Sequence, residues 1–127
     1  MLAETLLAGM FAADTGIVAI VATNMGVASR LPQNGASAPA LSWQRISTVP
    51  TSDLTSGGDL DDVRMQIDSW GQTPEQAATL ANLVRDLLDP AADVGAGRFD
   101  SWEGPTLDSE TRVWRVRCDY FIWQERN

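Results

Sequence analysis

Asp62-Val63-Arg64-Met65-Gln66-Ile67-Asp68-Ser69-Trp70, followed two residues later by Thr73-Pro74-Glu75-Gln76, is the stretch that decides the fold. Val63, Met65 and Ile67 alternate with Arg64, Gln66 and Asp68, the period of two that turns one side of a β-strand toward a core and the other toward solvent. Thr73 then suits a helix N-cap, Pro74 the first helical position and Gln76 the reciprocal place of a capping box. From there Ala77, Leu80, Ala81, Val84, Leu87 and Leu88 recur at helical spacing, Asn82, Arg85, Asp86 and Asp89 fall mostly outside that stripe, and Pro90 closes the segment. A half-buried strand running into an amphipathic helix is the seed of an α+β domain.

Upstream, Ala3, Leu6, Leu7, Met10 and Phe11 share one face of an N-terminal helix that Asp14-Thr15-Gly16 interrupts. Ile17 to Val21 reads as a short helical turn or buried segment stopping near Asn24-Met25-Gly26, and Val27 to Leu31 as a short strand. Pro32 through Pro39, with Asn34-Gly35 at its centre, is a turn-rich connection. Ala40 to Val49 is a strand with Leu41 and Trp43 on one face and Ala40, Ser42, Gln44 and Ile46 on the other, neither face clearly the core. Pro50 to Asp61 is polar, contains Gly57-Gly58, lacks either period, and predicts a flexible arm joining two strands.

Downstream, Arg98 to Glu103 predicts a strand ending at the Gly104-Pro105 break. Thr111 to Glu125 predicts a long strand with Trp114, Val116, Cys118, Tyr120 and Ile122 on one face. Its other face mixes Val113, Phe121 and Trp123 with Arg115, Arg117 and Asp119. The expected architecture is a mostly antiparallel mixed β-sheet of about four to five strands with two main helices on one face, in a single domain over residues 1–127. A chain of this length buries roughly two-thirds of its unfolded surface, enough for a core without staples.

Composition removes whole classes of chemistry. The net charge is −8, every cation is arginine, and neither Lys nor His occurs among the 127 residues. Ser-His-Asp and Cys-His nucleophiles, Schiff-base and P-loop lysines and histidine-built metal sites are therefore excluded. The single Cys118 can form no intramolecular disulfide and reads as a small apolar strand residue in a reducing compartment. Residues 1–13 carry Glu4 and no basic leader, which fits neither a signal peptide nor a membrane span. Acidity without a basic cluster argues against gripping nucleic acid phosphates.

Few residue groups suggest a site. Asp59, Asp61 and Asp62 offer oxygen ligands to a hard cation, but their spacing matches no ion loop and a solvated acidic arm is the simpler reading. Seventeen acids make carboxylate pairs unavoidable, and nothing marks two as converging for acid-base work. No catalytic residue, cofactor or metal is therefore expected. Arg115 and Arg117 stand two apart on one strand face, as do Arg64 and Gln66, so they build either intramolecular salt bridges or a subunit contact. Of five tryptophans, Trp43 and Trp114 are expected in the core, and Trp70, Trp102 and Trp123 at an oligomer interface.

The order of several segments resembles one family. Arg30-Leu31-Pro32-Gln33 running to Ala38-Pro39-Ala40-Leu41, the strand from Val63 to Trp70, the capped helix from Pro74 and the closing Arg117-Cys118-Asp119-Tyr120-Phe121-Ile122-Trp123 resemble bacteriophage tail-terminator, or tail-completion, proteins of long non-contractile tails. The resemblance covers nearly the whole chain and implies a small α+β subunit that assembles into a hexameric ring on the tail tube. Such a ring stops tube polymerisation, offers a head-tail joining surface to a neck or head-completion protein, and continues the channel through which DNA leaves without specific binding. It implies a place in the virion, at the head-proximal end of the tail, after assembly in the host cytoplasm, with no membrane partner. An acidic wall suits passing DNA, because like charge prevents sticking.

On this reading the expected subunit or tube contacts are Asp53, Leu54, Asp59 and Asp61 of the arm, with Arg64, Arg115, Arg117 and Trp123 on the sheet. The alternative is an acidic inhibitor or DNA mimic filling the cleft of a nucleic-acid-binding protein. That role calls for carboxylates dense on one long face, whereas here they are spread through loops and helix ends with Arg between them.

Overall fold

The computed structural model describes residues 2–27, 38–50, 60–88 and 98–125. In chain order these form α1 (Ala3–Ala13), α2 (Thr15–Val21), β1 (Met25–Val27), β2 (Ala40–Pro50), β3 (Leu60–Gly71), α3 (Pro74–Leu88), β4 (Arg98–Leu107) and β5 (Trp114–Glu125). The strands make one five-stranded sheet in the order β1-β2-β3-β5-β4. Only β1 runs parallel to its neighbour; the other pairings are antiparallel. The fold is α+β as expected, with three helices packed against one face of the sheet.

The decisive stretch behaves as its period demands. Val63, Met65 and Ile67 are at most 1% exposed and lie in the main core beneath the helices. In the next strands they pair with Ile122, Tyr120 and Cys118 on one side and, for Met65 and Ile67, with Arg45 and Trp43 on the other. The α3 stripe of Ala77, Leu80, Ala81, Val84 and Leu88 closes over them. Burying a Val, Leu, Ile or Met side chain stabilises by about 1.5–3 kcal/mol. Phe11 of α1 meets Trp43 edge-on at 5.1 Å, and Phe99 of β4 meets Tyr120 at 5.6 Å.

Helix boundaries follow from side-chain caps. Asp14, which halts α1, accepts a hydrogen bond from the Ile17 backbone N–H at 2.9 Å and so starts α2, at 87° to α1. At α3 the Thr73 hydroxyl accepts from the Gln76 N–H at 3.1 Å, while the Gln76 side chain reaches the Gln72 N–H at 2.9 Å, one residue before the reciprocal position expected. Gly71 joins β3 to α3 at a close approach: a Cβ there would stand 2.5 Å from the Ala77 backbone nitrogen. Only glycine fits that turn.

Several boundaries differ from expectation. The short strand expected over 27–31 is instead Met25–Val27, and residues 28–37, with most of the expected turn-rich connection, lie outside the described residues. The arm expected over 50–61 is narrowed at both ends, because β2 continues to Pro50 and β3 begins at Leu60, with Pro50 and Asp61 in register. Cross-strand pairing extends these strands through residues that show no hydrophobic period. Strand β4 passes through Gly104-Pro105, where a register shift and a Gly104 φ of +110° absorb the break. Strand β5 starts at Trp114 rather than Thr111, since Asp108–Val113 forms a turn closed by the Asp108 side chain on Glu110 N–H and Thr111 hydroxyl.

Candidate assembly interface

The sheet face opposite the helices is open over much of its area, and the strand register orders it into rows. Ala40, Trp70, Arg115 and Thr106 form one row; Ser42, Asp68, Arg117 and Glu103 the next; then Gln44, Gln66, Asp119 and Ser101. Ser47, Arg64, Phe121 and Arg98 follow, and Val49, Asp62 and Trp123 close the far end. A bulge at Ile46 keeps β2 in phase with the last two rows.

At one end this face carries a small core of its own. Trp70 is 1% exposed and packs with Ala38, Ala40 and Val113, its indole N–H donating to the buried Ser42 hydroxyl at 3.1 Å. The expectation that Trp70 belongs to an interface is thus corrected. Its position near a strand end looked exposed, but Ala38 and Val113, which flank other strands, fold across it. Trp102 is half-buried against the main core, as is Trp114, and Trp43 is buried. Trp123 is 42% exposed, in keeping with a free surface.

The arginines divide by burial of their partners. Arg117 donates through Nε to Asp68 Oδ1 at 3.0 Å, and the Asp68 side chain is only 3% exposed. Burial pushes the Asp68 carboxyl above the usual range, against the pull of Arg117; burial also works against the Arg117 charge, but Asp68, Glu103 and Asp119 together outweigh it and its pKa ends raised. Arg115 lies over the Trp70 ring at 5.6 Å. Arg64 bonds Asp119 at 2.8 Å and Asp100 at 3.2 Å, Asp119 being the chief cause of its raised pKa. The Arg117 and Arg64 contacts are the intramolecular salt bridges that were one of the two readings of the arginine pairs, whereas Arg115 stacks on a ring.

Asp61, expected in the arm, lies in β3, whereas Asp53, Leu54 and Asp59 lie outside the described residues. Asp61, Arg64, Arg115, Arg117 and Trp123 thus share the sheet without converging on one point. Among the described residues no group of three His, Cys, Asp or Glu side chains could hold a metal ion. Cys118 is buried and its thiol is pushed up to about 12 chiefly by burial, which disfavours the thiolate. Sequence reasoning missed Arg98, Val49 and the buried Ser42-Trp70 contact; the register that aligns them is not encoded in any one segment. It also missed an apolar groove of about 570 Å³ between α1, α2 and β1, floored in part by Trp43.

A structural subunit with an open sheet face and no convergent catalytic groups among its described residues fits what the comparisons return. A family model described as "Tail completion protein gp17" matches residues 5–125. The chain belongs to that family. The match spans all the described helices but the first two residues of α1, and all the described strands. This member of the tail completion family is a structural protein of the virion tail, in a class that is not one of enzymes. Its fold is also similar to a chain in a solved structure described as "Virion of native gene transfer agent (GTA) particle". The TM-score is 0.66 at 17% identity, over 98% of this chain and 95% of the other. No curated protein matches the sequence. Among the described residues no single helix is long and apolar enough to cross a membrane.

Proposed function

We propose that the protein assembles into a hexameric ring that caps the tail tube, ends its polymerisation and supplies the head-tail joining surface around a DNA channel. The observation that carries this reading is the tail-completion family match over residues 5–125. The similarity in fold to a chain from a gene transfer agent virion agrees with it. Arg64, Arg115, Arg117, Asp61 and Trp123 are the proposed subunit contacts on the sheet, and Asp53, Leu54 and Asp59 the proposed contacts to the tube or the adjacent subunit. A closed ring needs heterologous contacts, in which one surface of a subunit meets a different surface of the next. The net charge of −8 suits a wall past which DNA slides.

Native mass spectrometry over a range of protein concentrations, with negative-stain imaging of any large species alone and on purified tail tubes, tests the proposal. Six-fold rings on tube ends and tubes of fixed length are the expected result. Tubes that grow unchecked with the protein present, and no ring under any condition, overturn it. Deletion of Thr55–Asp59 is expected to weaken tube capping while leaving the subunit folded.

A further inference from the structure

Resting on the ring reading, the geometry points to one end of the open sheet face as the surface on which a second copy of this chain docks. The surface consists of Arg98, Phe121, Trp123 and Val49, and the second copy meets it with carboxylates.

The last two rows of the open face differ from the rest. In the row of Arg64, Phe121 and Arg98, the Phe121 ring lies between two guanidiniums, with Arg64 at 5.4 Å and Arg98 at 5.2 Å from its centroid. Arg64 is satisfied by Asp119 and Asp100, but exposed Arg98 has no carboxylate partner among the described residues. Arg85 over Phe99 and Arg115 over Trp70 likewise stack on rings with no ion pair among the described residues, so what sets Arg98 apart is the exposed apolar surface next to its row. Beside it, Val49 is 56% and Trp123 42% exposed, facing each other across Asp62. One Asp62 carboxylate oxygen is buried there with no hydrogen-bond partner among the described residues.

Exposed Trp with Arg, beside a carboxylate oxygen that has no hydrogen bond among the described residues, is the composition of an interface centre rather than of ordinary surface. Charge complementarity selects the occupant. Each copy has an excess of eight negative charges, so its outer surfaces supply carboxylates for Arg98. At the opposite end of the same face Trp70 is covered and Arg117 is paired with Asp68, so among the described residues the exposed apolar side chains of this face, Val49 and Trp123, lie at the Arg98 end, and Arg115 and Arg117 are its secondary contacts. A patch at one end of the face, met by a different surface of the next copy, gives the head-to-tail polarity that ring closure demands.

The test compares the intact wild-type chain with Arg98→Glu, Trp123→Ser and a charge-matched control, Arg112→Glu, in the exposed β4–β5 turn. Native mass spectrometry reads assembly, alone and on tail tubes, and thermal melting confirms that each variant folds. Wild type is expected to assemble, Arg112→Glu to follow it, and the two patch variants to need about tenfold or more higher concentration. Added salt weakens the wild-type contact and has less effect on Arg98→Glu. Folded patch variants that assemble like wild type overturn this inference and leave the ring standing. Equal weakening by Arg112→Glu also overturns it, since bulk charge then explains the loss. A wild-type chain that never self-associates, on tubes or off them, overturns both this inference and the ring.

Discussion

The two faces of β3 make opposite use of the same strand. Val63, Met65 and Ile67 point beneath the helices and are almost wholly buried, whereas Asp62, Arg64 and Gln66 stay partly exposed on the other side. One face is held by apolar area and close packing, which act without direction and are lost in large steps. The other is held by cross-strand ladders of Arg and Asp whose worth depends on how far water is excluded. Where exclusion is complete, at Asp68 and Trp70, the open face is as specific as the core. Where it is not, at Trp123 and Arg98, the side chains stay exposed, as the proposed docking requires.

Substitutions of graded depth test this contrast. Leu80→Ala, beneath the sheet, is expected to cost about 2–5 kcal/mol in urea unfolding, since the cavity cannot fully collapse. Gly71→Ala forces β3 and α3 apart at their 2.5 Å approach and is expected to lower the melting temperature by several degrees, roughly 1–3 kcal/mol. On the open face, Arg117→Ala leaves the buried Asp68 carboxylate without its donor and is expected to cost about 1–3 kcal/mol at neutral pH.

That loss has a pH sign. Asp68 already titrates above its ordinary 3.8, so its contribution to stability is full below that value and falls as pH rises through the folded-state pKa. Removing Arg117 widens this window, and the variant's deficit shrinks on acidification as Asp68 protonates. Glu4 has the opposite sign. Held below its ordinary 4.5 chiefly by the hydrogen bond from Arg45, it stabilises above that value and the benefit is lost as pH falls through the folded-state pKa. Glu4→Gln is expected to cost about 0–1 kcal/mol at pH 7 and to flatten the acid limb of a melting-temperature profile. Smallest of all, Trp123→Ser is expected to change subunit stability by less than about 0.5 kcal/mol, so a larger loss would place Trp123 in the fold rather than at a contact.

The capped α3, the strand from Val63 to Ile67 and the α1 stripe were legible because their signals are local: a cap, a period of two, a period of 3.6. The inward face of β5 was legible for the same reason. Local signals also put Trp123 among the interface candidates, and its side chain is exposed. They misplaced Trp70, because what buries it is Ala38 and Val113 arriving from distant segments. They stopped β4 at Gly104-Pro105, because composition marks a break whereas a neighbouring strand can carry pairing across it.

By itself the sequence determined the fold class, the faces of the strands, the exclusion of histidine and lysine chemistry, and a resemblance that the family match bears out. Only the tertiary structure decided which arginine meets which carboxylate and which aromatic is left uncovered. Periodicity assigns a side chain to a face, and it carries no information about register. The register of β2, β3, β5 and β4 sets Arg117 on Asp68, Arg64 on Asp119, and Arg98 beside Phe121 with no ion pair among the described residues.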